Sequence, residues 1–473
     1  MTDKTAIPAR TLTALRDAAG DDALRETQPH ELTEPRDLFQ GHSRWLCLPA
    51  DTACVQRVVQ VCNDHALPIV PHGGGTGLVG GQTDTAERPS LLLSTRRINA
   101  LRAFNATDAT MVCEAGMTLA DAQSHASEHA LLYPLSLASE GSCTVGGTLA
   151  TNAGGINVLR YGSARALCLG VEAVLADGTL LRDLNGLRKD NTGYAVSDLL
   201  VGSEGTLGII TAACLRLFPA PRERATLLAA VPDPASALRV LSRLQHRFGE
   251  RVSAFELIAR QGVDFLVETR LQHRMPLAHP GPWYVLTEIA SGEDPGLQSA
   301  IEDVLSNAFE AGDIEDAVLA SSESQRQAMW HVRETIPEAN RLVGSVASFD
   351  ISVPVSRIPD FIKAGTAALG ALDHRLRINC FGHLGDGNLH FNVFPPAGAS
   401  KADFKPLNET VKSTVYGLVQ AHDGSFSAEH GVGRQKTSQL SHFADPGKLQ
   451  VIRTIKRALD PQNLLNPGAI VPE

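Results

Sequence analysis

The chain has 473 residues, of which 43% are hydrophobic and 20% are charged, and its formal net charge is −10. This length predicts two or three domains. The net negative charge argues against binding to nucleic acid, which needs a surface rich in lysine and arginine. The eight cysteines form no C-x-x-C pair and no apolar run reaches membrane length, so iron–sulfur clusters, thiolate zinc sites and a transmembrane segment are not expected. Scattered thiols favour a reducing, cytoplasmic location.

The N-terminal half is predicted to begin with helices and continue with short strands around glycine-rich loops. Apolar residues at helical spacing predict helices over 8–25 and 52–66. A short strand, LPIV, then leads into PHGGGTGLVGGQ, and GVEAVLADGTLL predicts a hairpin around Asp-Gly. After FPAPRER the sequence changes from short strands around glycine-rich loops to helices alternating with strands, which predicts a domain boundary. Beyond it, the strands WYVLTEI and FDISVPV alternate with helices predicted over 235–248, 296–312 and 320–342.

The first glycine cluster contains Gly75-x-Gly77-x-x-Gly80, formally a dinucleotide fingerprint. It fails the context of that motif, because a loop rather than a helix follows and residue 100 is alanine. Its N–H groups can still converge on an anion, although a flexible surface loop remains the alternative. Two further clusters, Gly141–Gly155 and Gly202–Gly208, favour one extended ligand wrapped by backbone, such as a pyrophosphate joined to a flat ring system.

The stretch INCFGHLGDGNLHFNVF, residues 378–394, reads as a hairpin whose turn is Asp386-Gly387. A two-residue turn there places His383 directly opposite His390. Glu429 and His430 can serve the same site if the backbone is irregular between the neighbouring glycines. His383, His390 and Glu429 then form a two-histidine, one-carboxylate set suited to zinc or manganese. The alternative is a pair of buried, hydrogen-bonded histidines and a Glu–His pair on the surface.

Several motifs in order carry a family resemblance from about residue 40 to the C-terminus. PHGGGTGLVGG, VGGTLATNAGGINVLRYGSARALCLGVEAVLADG and NTGYAVSDLLVGSEGTLGIIT resemble the FAD domain of the vanillyl-alcohol-oxidase/p-cresol-methylhydroxylase flavoproteins. FGHLGDGNLH, AEHGVGRQK and LDPQNLLNPG resemble the branch of D-lactate dehydrogenases, the glycolate oxidase flavin subunit and D-2-hydroxyglutarate dehydrogenase.

The resemblance implies an α+β protein with a two-subdomain FAD-binding fold and a substrate-binding cap domain built on an antiparallel sheet. The predicted domains are an N-terminal helical segment (1–39), the FAD-binding domain (40–220), the cap (221–425) and a C-terminal segment returning to the FAD domain (426–473).

The resemblance also implies a noncovalent FAD, since Gly75 stands where some relatives carry a flavin-tethering histidine and His72 lies three residues earlier. The first loop would bind the pyrophosphate, the second segment would follow pyrophosphate and flavin, and the third would close the adenine side. The predicted FAD-binding residues are Pro71, His72, Gly73, Gly74, Gly75, Thr76, Gly77, Leu78, Ser139, Gly141, Ser142, Thr144, Gly146, Gly147, Asn152, Gly154, Gly155, Gly205, Gly208, Ile209 and Asn466.

For the reaction, the resemblance assigns a divalent metal to His383, His390 and Glu429 and general-base work to His430. A metal bound there would lower the pKa of the hydroxyl group of a 2-hydroxy acid, His430 would take the proton, and FAD would accept the hydride. Arg333 resembles the arginine that binds the substrate carboxylate, although a solvated helix arginine is the alternative. Asn392 is predicted to contact the substrate.

Two positions depart from the 2-hydroxyglutarate enzymes. A lysine that helps to bind the distal carboxylate corresponds to Ser348, and a threonine four residues after the arginine corresponds to Pro337. Both losses favour a smaller acid such as D-lactate, although Arg341 could compensate.

Two other functions remain open at this stage. One is a glycolate oxidase-like flavin subunit that needs partner chains, and the other is a metal-dependent hydrolase. The sequence identifies no electron acceptor, and it leaves a homodimer open.

Overall fold

Two structural units account for residues 5–271 and 275–471, the part of the chain that this computed structural model describes. Unit 1 comprises the described part of Met1–Gly154, Gly162–Ala220 and Glu429–Glu473. Unit 2 comprises Gly155–Tyr161 and the described part of Pro221–Ala428. Compared with the bounds predicted from the sequence, unit 1 includes the N-terminal segment and unit 2 includes the stretch 155–161.

The elements of both units are as follows. The helices are α1 (Ala9–Ala19), α2 (Pro29–Leu32), α3 (Thr52–Asp64), α4 (Leu119–Ser127), α5 (Val145–Ala150), α6 (Val158–Tyr161), α7 (Val196–Leu200), α8 (Pro234–Phe248), α9 (Arg260–Glu268), α10 (Leu297–Glu310), α11 (Glu323–Val343), α12 (Ile358–Leu372), α13 (Asn408–Ala421), α14 (Thr437–Phe443) and α15 (Pro446–Leu459). The strands are β1 (Leu24–Glu26), β2 (Trp45–Cys47), β3 (Ile69–His72), β4 (Leu91–Ser94), β5 (Leu101–Asn105), β6 (Thr110–Glu114), β7 (Leu131–Leu132), β8 (Cys168–Val174), β9 (Leu180–Arg182), β10 (Ile209–Arg216), β11 (Phe218–Pro219), β12 (Glu223–Val231), β13 (Val252–Ala259), β14 (Trp283–Ser291), β15 (Asp316–Leu319), β16 (Asp350–Ser352), β17 (Arg377–Gly382) and β18 (Asn388–Phe394). Short 3₁₀ turns occupy Asp21–Ala23, Gly249–Arg251, Val355–Arg357, Leu384–Asp386 and Lys401–Leu407.

Unit 1 contains two main sheets and one two-stranded pair. The first sheet has the order β1-β2-β4-β3, in which β2 and β3 run parallel to β4. The second is antiparallel with the order β5-β6-β10-β8-β9, and its β8–β9 pair is the hairpin predicted around Asp-Gly. Strands β7 and β11 form the small pair. The first sheet carries the start of the first glycine loop at the end of β3.

Helix α3 shows how local sequence builds the core of unit 1. Asp51 caps the helix, because its side chain accepts a hydrogen bond from the N–H of Cys54 at 2.7 Å. The apolar residues at helical spacing that predicted this helix, including Val55 and Val58, are fully buried. They pack in one cluster with Leu91 and Leu93 of β4. Burial of this stripe, at about 25 cal/mol per Å² of apolar surface, fixes the helix against the sheet.

The C-terminal segment is tied into unit 1 by a buried lysine. Lys456, on α15, donates to the carbonyl oxygens of Thr206 and Leu465 at 2.9 and 2.8 Å and to Asp460 Oδ2 at 2.5 Å. Burial lowers the pKa of Lys456. Because a buried ammonium without partners is costly, these bonds fix the end of α15 and the chain that follows it.

Unit 2 is built on one seven-stranded antiparallel sheet with the order β15-β12-β14-β13-β17-β18-β16. Strands β13 and β14 are buried along nearly their whole length. A cluster of apolar side chains from β12–β14, α9 and α11 forms the core, with Phe265 packed edge-on against Phe394 at 4.7 Å between ring centroids. This central position of β13 places its side chains at the middle of the sheet.

Two local predictions were wrong. The first helix ends at Ala19 rather than at residue 25, because Gly20 adopts a φ of 90° and a 3₁₀ turn and β1 follow. The β17–β18 connection is not a two-residue turn either. His383 and the 3₁₀ turn Leu384–Asp386 precede Gly387, the one turn position with left-handed φ, and the cross-strand partner of His390 is Phe381.

Candidate functional site

The first glycine-rich loop follows directly from a buried parallel strand. Strand β3 ends at His72, and the chain continues through the half-buried residues 73–78. In the described part of the chain, none of the backbone N–H groups of this stretch donates a hydrogen bond to a protein acceptor. Successive N–H groups of this kind can converge on an anion. The loop therefore fits the pyrophosphate of FAD, the role predicted for Pro71, His72, Gly73, Gly74, Gly75, Thr76, Gly77 and Leu78.

The carbonyl oxygens of this loop are held by Arg96. Its Nε donates to the carbonyl oxygen of Gly73 at 3.3 Å and its Nη2 to that of Gly74 at 3.1 Å. With the carbonyl groups engaged by a cation, the peptide planes are fixed while the N–H groups stay available for a ligand. Arg96 was not predicted from the sequence.

The first loop contacts the second glycine-rich segment at Gly74. A Cβ atom on Gly74 would lie 2.1 Å from the carbonyl oxygen of Ser142 and 2.7 Å from the Cα of Cys143. A Cβ on Gly73 would lie 2.7 Å from Thr144 Oγ1. Only residues without a side chain permit so close an approach. The two segments thus present their backbones side by side.

His72 is buried at the end of β3, with 6% of its surface exposed. Burial is the main cause that lowers the pKa of His72 to about 4, and the nearby Arg96 charge acts in the same direction. The imidazole is therefore neutral at physiological pH. The Cβ position of Gly75 lies 3.3 Å from His72 Cε1, so the ring supports the loop. The absence of a covalent flavin link at His72 stays a prediction.

The second segment is organised by helix α5. Thr144 caps the helix, since its Oγ1 accepts a hydrogen bond from the N–H of Gly147 at 3.3 Å. Gly141 is exposed, and a Cβ there would meet no protein atom within 4 Å, so the backbone is accessible to a ligand. The side chain of Asn152 accepts from Ser163 and the N–H of Arg165 and so supports the segment. The residues predicted for FAD here are Ser139, Gly141, Ser142, Thr144, Gly146, Gly147, Asn152, Gly154 and Gly155, of which Gly155 belongs to unit 2.

The third segment packs against the first loop. Gly205 has a φ of 71°, and a Cβ there would lie 2.8 Å from Cγ of Pro71. Gly208 lies close to Leu200, and Ile209 begins β10. The three predicted FAD residues of this segment, Gly205, Gly208 and Ile209, thus belong to the same unit as both other glycine segments.

Glu204 connects the third segment to the loop that carries Glu429 and His430. Its Oε1 accepts from the N–H of Val432 and its Oε2 from that of Gly433, both at 2.8 Å. Burial raises the pKa of Glu204, and the two N–H bonds oppose that rise. The carboxylate therefore fixes the backbone two residues after His430.

The loop around His430 has the irregular backbone that the sequence predicted. Gly431 and Gly433 have φ values of 83° and 51°, and residues 427–433 lie outside helices and strands. Glu429 and His430 are both partly buried, with Oε1 of the former 3.6 Å from Nε2 of the latter. A carboxylate next to an imidazole is a combination suited to metal binding or proton transfer.

Asn466, also predicted to bind FAD, has an amide group that is engaged by the protein. Its Oδ1 accepts from Arg434, and its Nδ2 donates to the carbonyl oxygens of Gly81 and Glu204. The side chain is buried. These bonds place the C-terminal segment beside the first and third glycine segments of unit 1.

In unit 2, His383 and His390 lie close together although they are not cross-strand partners. Their ring centroids are 6.0 Å apart, and both flank the β17–β18 connection. Across the β16–β18 pair, the buried Asp350 is the register partner of His390. Two neighbouring imidazoles are donors that fit a divalent metal such as zinc or manganese. His383 and His390 are thus brought together as predicted, while Glu429 belongs to unit 1.

A fully buried acid, Glu256, joins His383 to Arg333. Glu256 Oε1 lies 2.5 Å from His383 Nδ1, and Arg333 Nε donates to Glu256 Oε2 at 2.7 Å. Burial opposes ionisation of Glu256, but the charges of His383 and Arg333, together with their hydrogen bonds, bring its pKa down to about 2. Arg333 is buried, so the alternative of a solvated helix arginine is wrong. In the described part of unit 2, no acceptor is bonded to the η nitrogens of Arg333, which suits them to a carboxylate ligand.

Asn392 is buried on β18, two residues after His390. Its Oδ1 accepts from the backbone N–H of Phe349 at 3.0 Å. This bond fixes the amide plane and leaves Nδ2 as the group that could face a substrate. The predicted substrate contact of Asn392 stays a prediction.

Three residues of these clusters were missed by sequence reasoning: Glu204, Glu256 and Asp350. The available signal was an acid inside an apolar stretch, as in SAFELIAR around Glu256 and SFDISV around Asp350. A buried carboxylate needs hydrogen-bond donors, so such an acid marks a place where donors converge.

Solved structures share the fold. The chain superposes on p-cresol methylhydroxylase with substrate bound with a TM-score of 0.75 at 16% identity, covering 98% of this chain and 96% of that one. For 4-ethylphenol oxidase from Gulosibacter chungangensis the TM-score is 0.73 at 19% identity, covering 100% and 99%. The chain therefore shares the fold of these proteins, and the predicted α+β architecture with an antiparallel sheet in the cap is confirmed.

The family follows from the sequence itself. An FAD binding domain matches residues 44–183, and the C-terminal domain of FAD linked oxidases matches residues 220–470. The chain belongs to the FAD-linked oxidase family, which confirms both the resemblance and the FAD cofactor.

Curated relatives span most of the chain. The mitochondrial D-2-hydroxyglutarate dehydrogenase of Bos taurus is 37% identical over 451 residues, covering 94% of this chain and 81% of the relative. The D-2-hydroxyglutarate dehydrogenase of Xanthomonas citri pv. viticola is 37% identical over 448 residues, covering 93% of each. Since one relative is mitochondrial, the cytoplasmic location stays a prediction. Within residues 5–271 and 275–471, no helix is long and apolar enough to cross a membrane.

Proposed function

We propose that this protein is an FAD- and divalent-metal-dependent dehydrogenase that oxidises a D-2-hydroxy acid to the 2-oxo acid. The observation that carries the proposal is the Arg333–Glu256–His383 cluster of unit 2, in which a guanidinium and an imidazole share one buried carboxylate. Two relatives at 37% identity are named as D-2-hydroxyglutarate dehydrogenases, which supports the class of substrate. When bound, FAD supplies the hydride acceptor.

The chain's own residues bind, orient and deprotonate the substrate. Arg333 binds the substrate carboxylate through its η nitrogens, because its Nε is already engaged by Glu256. His430 takes the proton of the hydroxyl group, a role for which an imidazole is suited near neutral pH. Asn392 donates from its amide to the substrate.

For the metal, we propose His383, His390 and Glu429 as ligands. The fit rests on the two neighbouring imidazoles in unit 2 and on the irregular, glycine-flanked backbone of Glu429 in unit 1. When bound, the metal supplies a positive charge that lowers the pKa of the substrate hydroxyl group. The ligand set suits zinc and manganese equally.

Within the class, we propose a smaller acid such as D-lactate in preference to D-2-hydroxyglutarate. Ser348 is exposed and bonded to Ser345, and Pro337 has no side-chain donor. Arg341, the group that could compensate, is 71% exposed and paired with Glu338. It also lies eight residues from Arg333 on α11, about 12 Å along the helix axis. These positions offer no buried cation to a second carboxylate.

Anaerobic stopped-flow reduction of the bound flavin by a panel of D- and L-2-hydroxy acids tests both levels of the proposal. We expect reduction by D-acids only, with D-lactate faster than D-2-hydroxyglutarate. Faster reduction by D-2-hydroxyglutarate would overturn the preference for a smaller acid while keeping the class. Failure of every acid would overturn the class.

The base is tested by the His430→Asn variant. We expect flavin reduction to slow by about 10²–10⁴-fold, since general-base catalysis contributes that much, while FAD and metal remain bound. His442→Asn is the matched control, because His442 lies exposed on α14 of the same unit. A reduction rate of the His430→Asn variant equal to that of the control would remove His430 from the mechanism.

Membership in a flavoprotein family favours this proposal over a metal-dependent hydrolase, because a hydrolase needs no flavin. A glycolate oxidase-like flavin subunit differs in requiring partner chains. Dye-linked activity of the isolated chain would decide against such a subunit.

A further inference from the structure

A single buried carboxylate in unit 2 contacts two groups from two different elements. Glu256 is on β13, His383 follows β17, and Arg333 is on α11. The pairing of Leu257 with Gly382 across β13 and β17 brings Glu256 opposite His383. Each oxygen of the carboxylate has its own partner: Oε1 is 2.5 Å from His383 Nδ1, and Oε2 is 2.7 Å from Arg333 Nε.

We infer that Glu256 is a positioning residue that couples substrate binding to metal binding. The inference rests on the proposed function, in which Arg333 binds the substrate carboxylate and His383 is a metal ligand. With Nδ1–H directed at Glu256, the imidazole of His383 presents Nε2 as its ligand nitrogen. With Nε directed at the same carboxylate, the planar guanidinium of Arg333 presents its η nitrogens. One acid thus sets the orientation of both groups.

A second contact joins the same arginine to the other histidine. The guanidinium carbon of Arg333 lies 4.7 Å from the ring centroid of Phe381, and that ring lies 4.9 Å from the ring of His390. His383 and His390 are themselves 6.0 Å apart. These contacts form a closed ring of five side chains: Arg333, Glu256, His383, His390 and Phe381. A displacement of Arg333 is transmitted to both histidines, through the acid on one side and through the aromatic ring on the other.

The bonds to Arg333 and His383 require a side chain with two acceptor oxygens at position 256. Both partners donate: Nε–H of Arg333 and Nδ1–H of His383. Glutamine has the same shape but one acceptor and one donor group, so one of its partners would face an N–H group. Aspartate keeps the charge but is one carbon shorter, so it cannot reach both partners. Either substitution disturbs the orientation of both groups, because a side chain that loses one partner is no longer held in place for the other.

The test uses the FAD-loaded enzyme and its Glu256→Gln variant, with Glu288→Gln as a matched control. Glu288 is also a buried acid on a central strand of the same sheet, and it is bonded to Arg224 and Arg326 instead of His383. The affinity for Zn²⁺ is measured by competition with a chelating dye in the absence of substrate. The KM and kcat for the 2-hydroxy acid that reduces the flavin fastest are measured separately.

We expect Glu256→Gln to weaken Zn²⁺ binding by about 10–100-fold, the usual effect of losing a carboxylate behind a metal-ligating histidine. We also expect KM to rise at least about tenfold, because Arg333 loses a hydrogen bond to a charged group that fixes its orientation. Glu288→Gln should leave both quantities unchanged, even if its melting temperature falls as far. If Glu256→Gln does not fold, Glu256→Asp replaces it, with the same two effects in the same directions.

Unchanged Zn²⁺ affinity and KM in the folded variant would overturn the inference. So would equal losses in the Glu288→Gln control, because they would indicate a general weakening of the sheet. Failure of the proposed function has a different signature. In that case the wild-type enzyme itself would bind no Zn²⁺ or would show no flavin reduction by any 2-hydroxy acid.

Discussion

Substitution of Gly74 by alanine tests whether the FAD cradle depends on direct contact between two backbones. A Cβ at this position would lie 2.1 Å from the carbonyl oxygen of Ser142, whereas ordinary contacts begin at 3.4 Å. The first loop or the second segment must therefore move by about 1 Å, and neither neighbour is a flexible side chain. Forced backbone shifts of this kind cost about 1–3 kcal/mol.

The same displacement separates the loop predicted to bind the pyrophosphate of FAD from the segment predicted to follow the pyrophosphate and the flavin. A loss of about 1.4 kcal/mol corresponds to a tenfold change in an equilibrium constant, so FAD affinity should fall by roughly 5- to 150-fold. The assay is titration of the apoprotein with FAD, followed by flavin fluorescence. Thermal unfolding of the apoprotein reports the strain without the cofactor, and we expect the melting temperature to drop by several degrees.

Gly141→Ala is the matched control, because Gly141 lies in the same segment but a Cβ there meets no protein atom within 4 Å. Its apoprotein should melt at the wild-type temperature. If Gly74→Ala shows wild-type FAD affinity and wild-type melting, the close approach of the two segments has no energetic consequence and the reasoning is refuted.

Three further predictions concern single buried groups. Lys456→Met should cost about 3–5 kcal/mol in the free energy of unfolding, because the buried Asp460 loses its counter-charge and keeps only the N–H groups of Leu464 and Leu465 as partners, while the exposed Lys448→Met should change little; equal melting curves would contradict this. For His72, the folded pKa of about 4 lies below the ordinary 6.5, so the unfolded chain binds more protons between these values and stability should fall by about 3 kcal/mol as pH drops from 6.5 to 4. His72→Gln should lack this slope in acid-unfolding curves, and an unchanged slope would contradict the assignment. Glu204→Gln should lower the free energy of local opening of the His430 loop by about 1–3 kcal/mol, because the NH₂ group of the new glutamine would face one of the two backbone N–H donors. The measurement is the protection of the Val432 and Gly433 amides from hydrogen exchange, and unaltered protection would count against the prediction.

Helices and loops that are determined by neighbouring residues in the sequence could be predicted from the sequence alone. Helix α3 was predicted over 52–66 and runs over Thr52–Asp64, since its cap and its apolar stripe lie within the helix itself. Helix α11 was predicted over 320–342 and runs over Glu323–Val343, between the cap Ser322 and Gly344. The glycine loops were recognised in the same way, because each needs residues without side chains at particular positions.

The turn between β17 and β18 shows where local reasoning fails. Asp386-Gly387 has the composition of a two-residue turn, but Asp386 does not adopt the positive φ that a type I′ turn requires. His383 lies just past the end of the strand, and its side chain is bonded to Glu256, a residue 127 positions away, so its surroundings are not set by the local sequence. The two histidines still meet, through a wider connection than the one predicted. The proximity was thus predicted for a reason that the structure does not support.

The two buried acids explain why long-range chemistry was missed and how it can be recognised. Glu204 and Glu256 find partners 228 and 127 residues away, so no local pattern reveals which groups they contact. Yet an unpaired carboxylate in an apolar interior costs several kcal/mol, and such a residue persists only where donors converge on it. In unit 1 the donors are the N–H groups after His430, and in unit 2 they are His383 and Arg333. Glu204 and Glu256 therefore each hold backbone or side-chain groups in a fixed orientation, and in both units those groups are, or directly follow, residues that the proposed reaction requires.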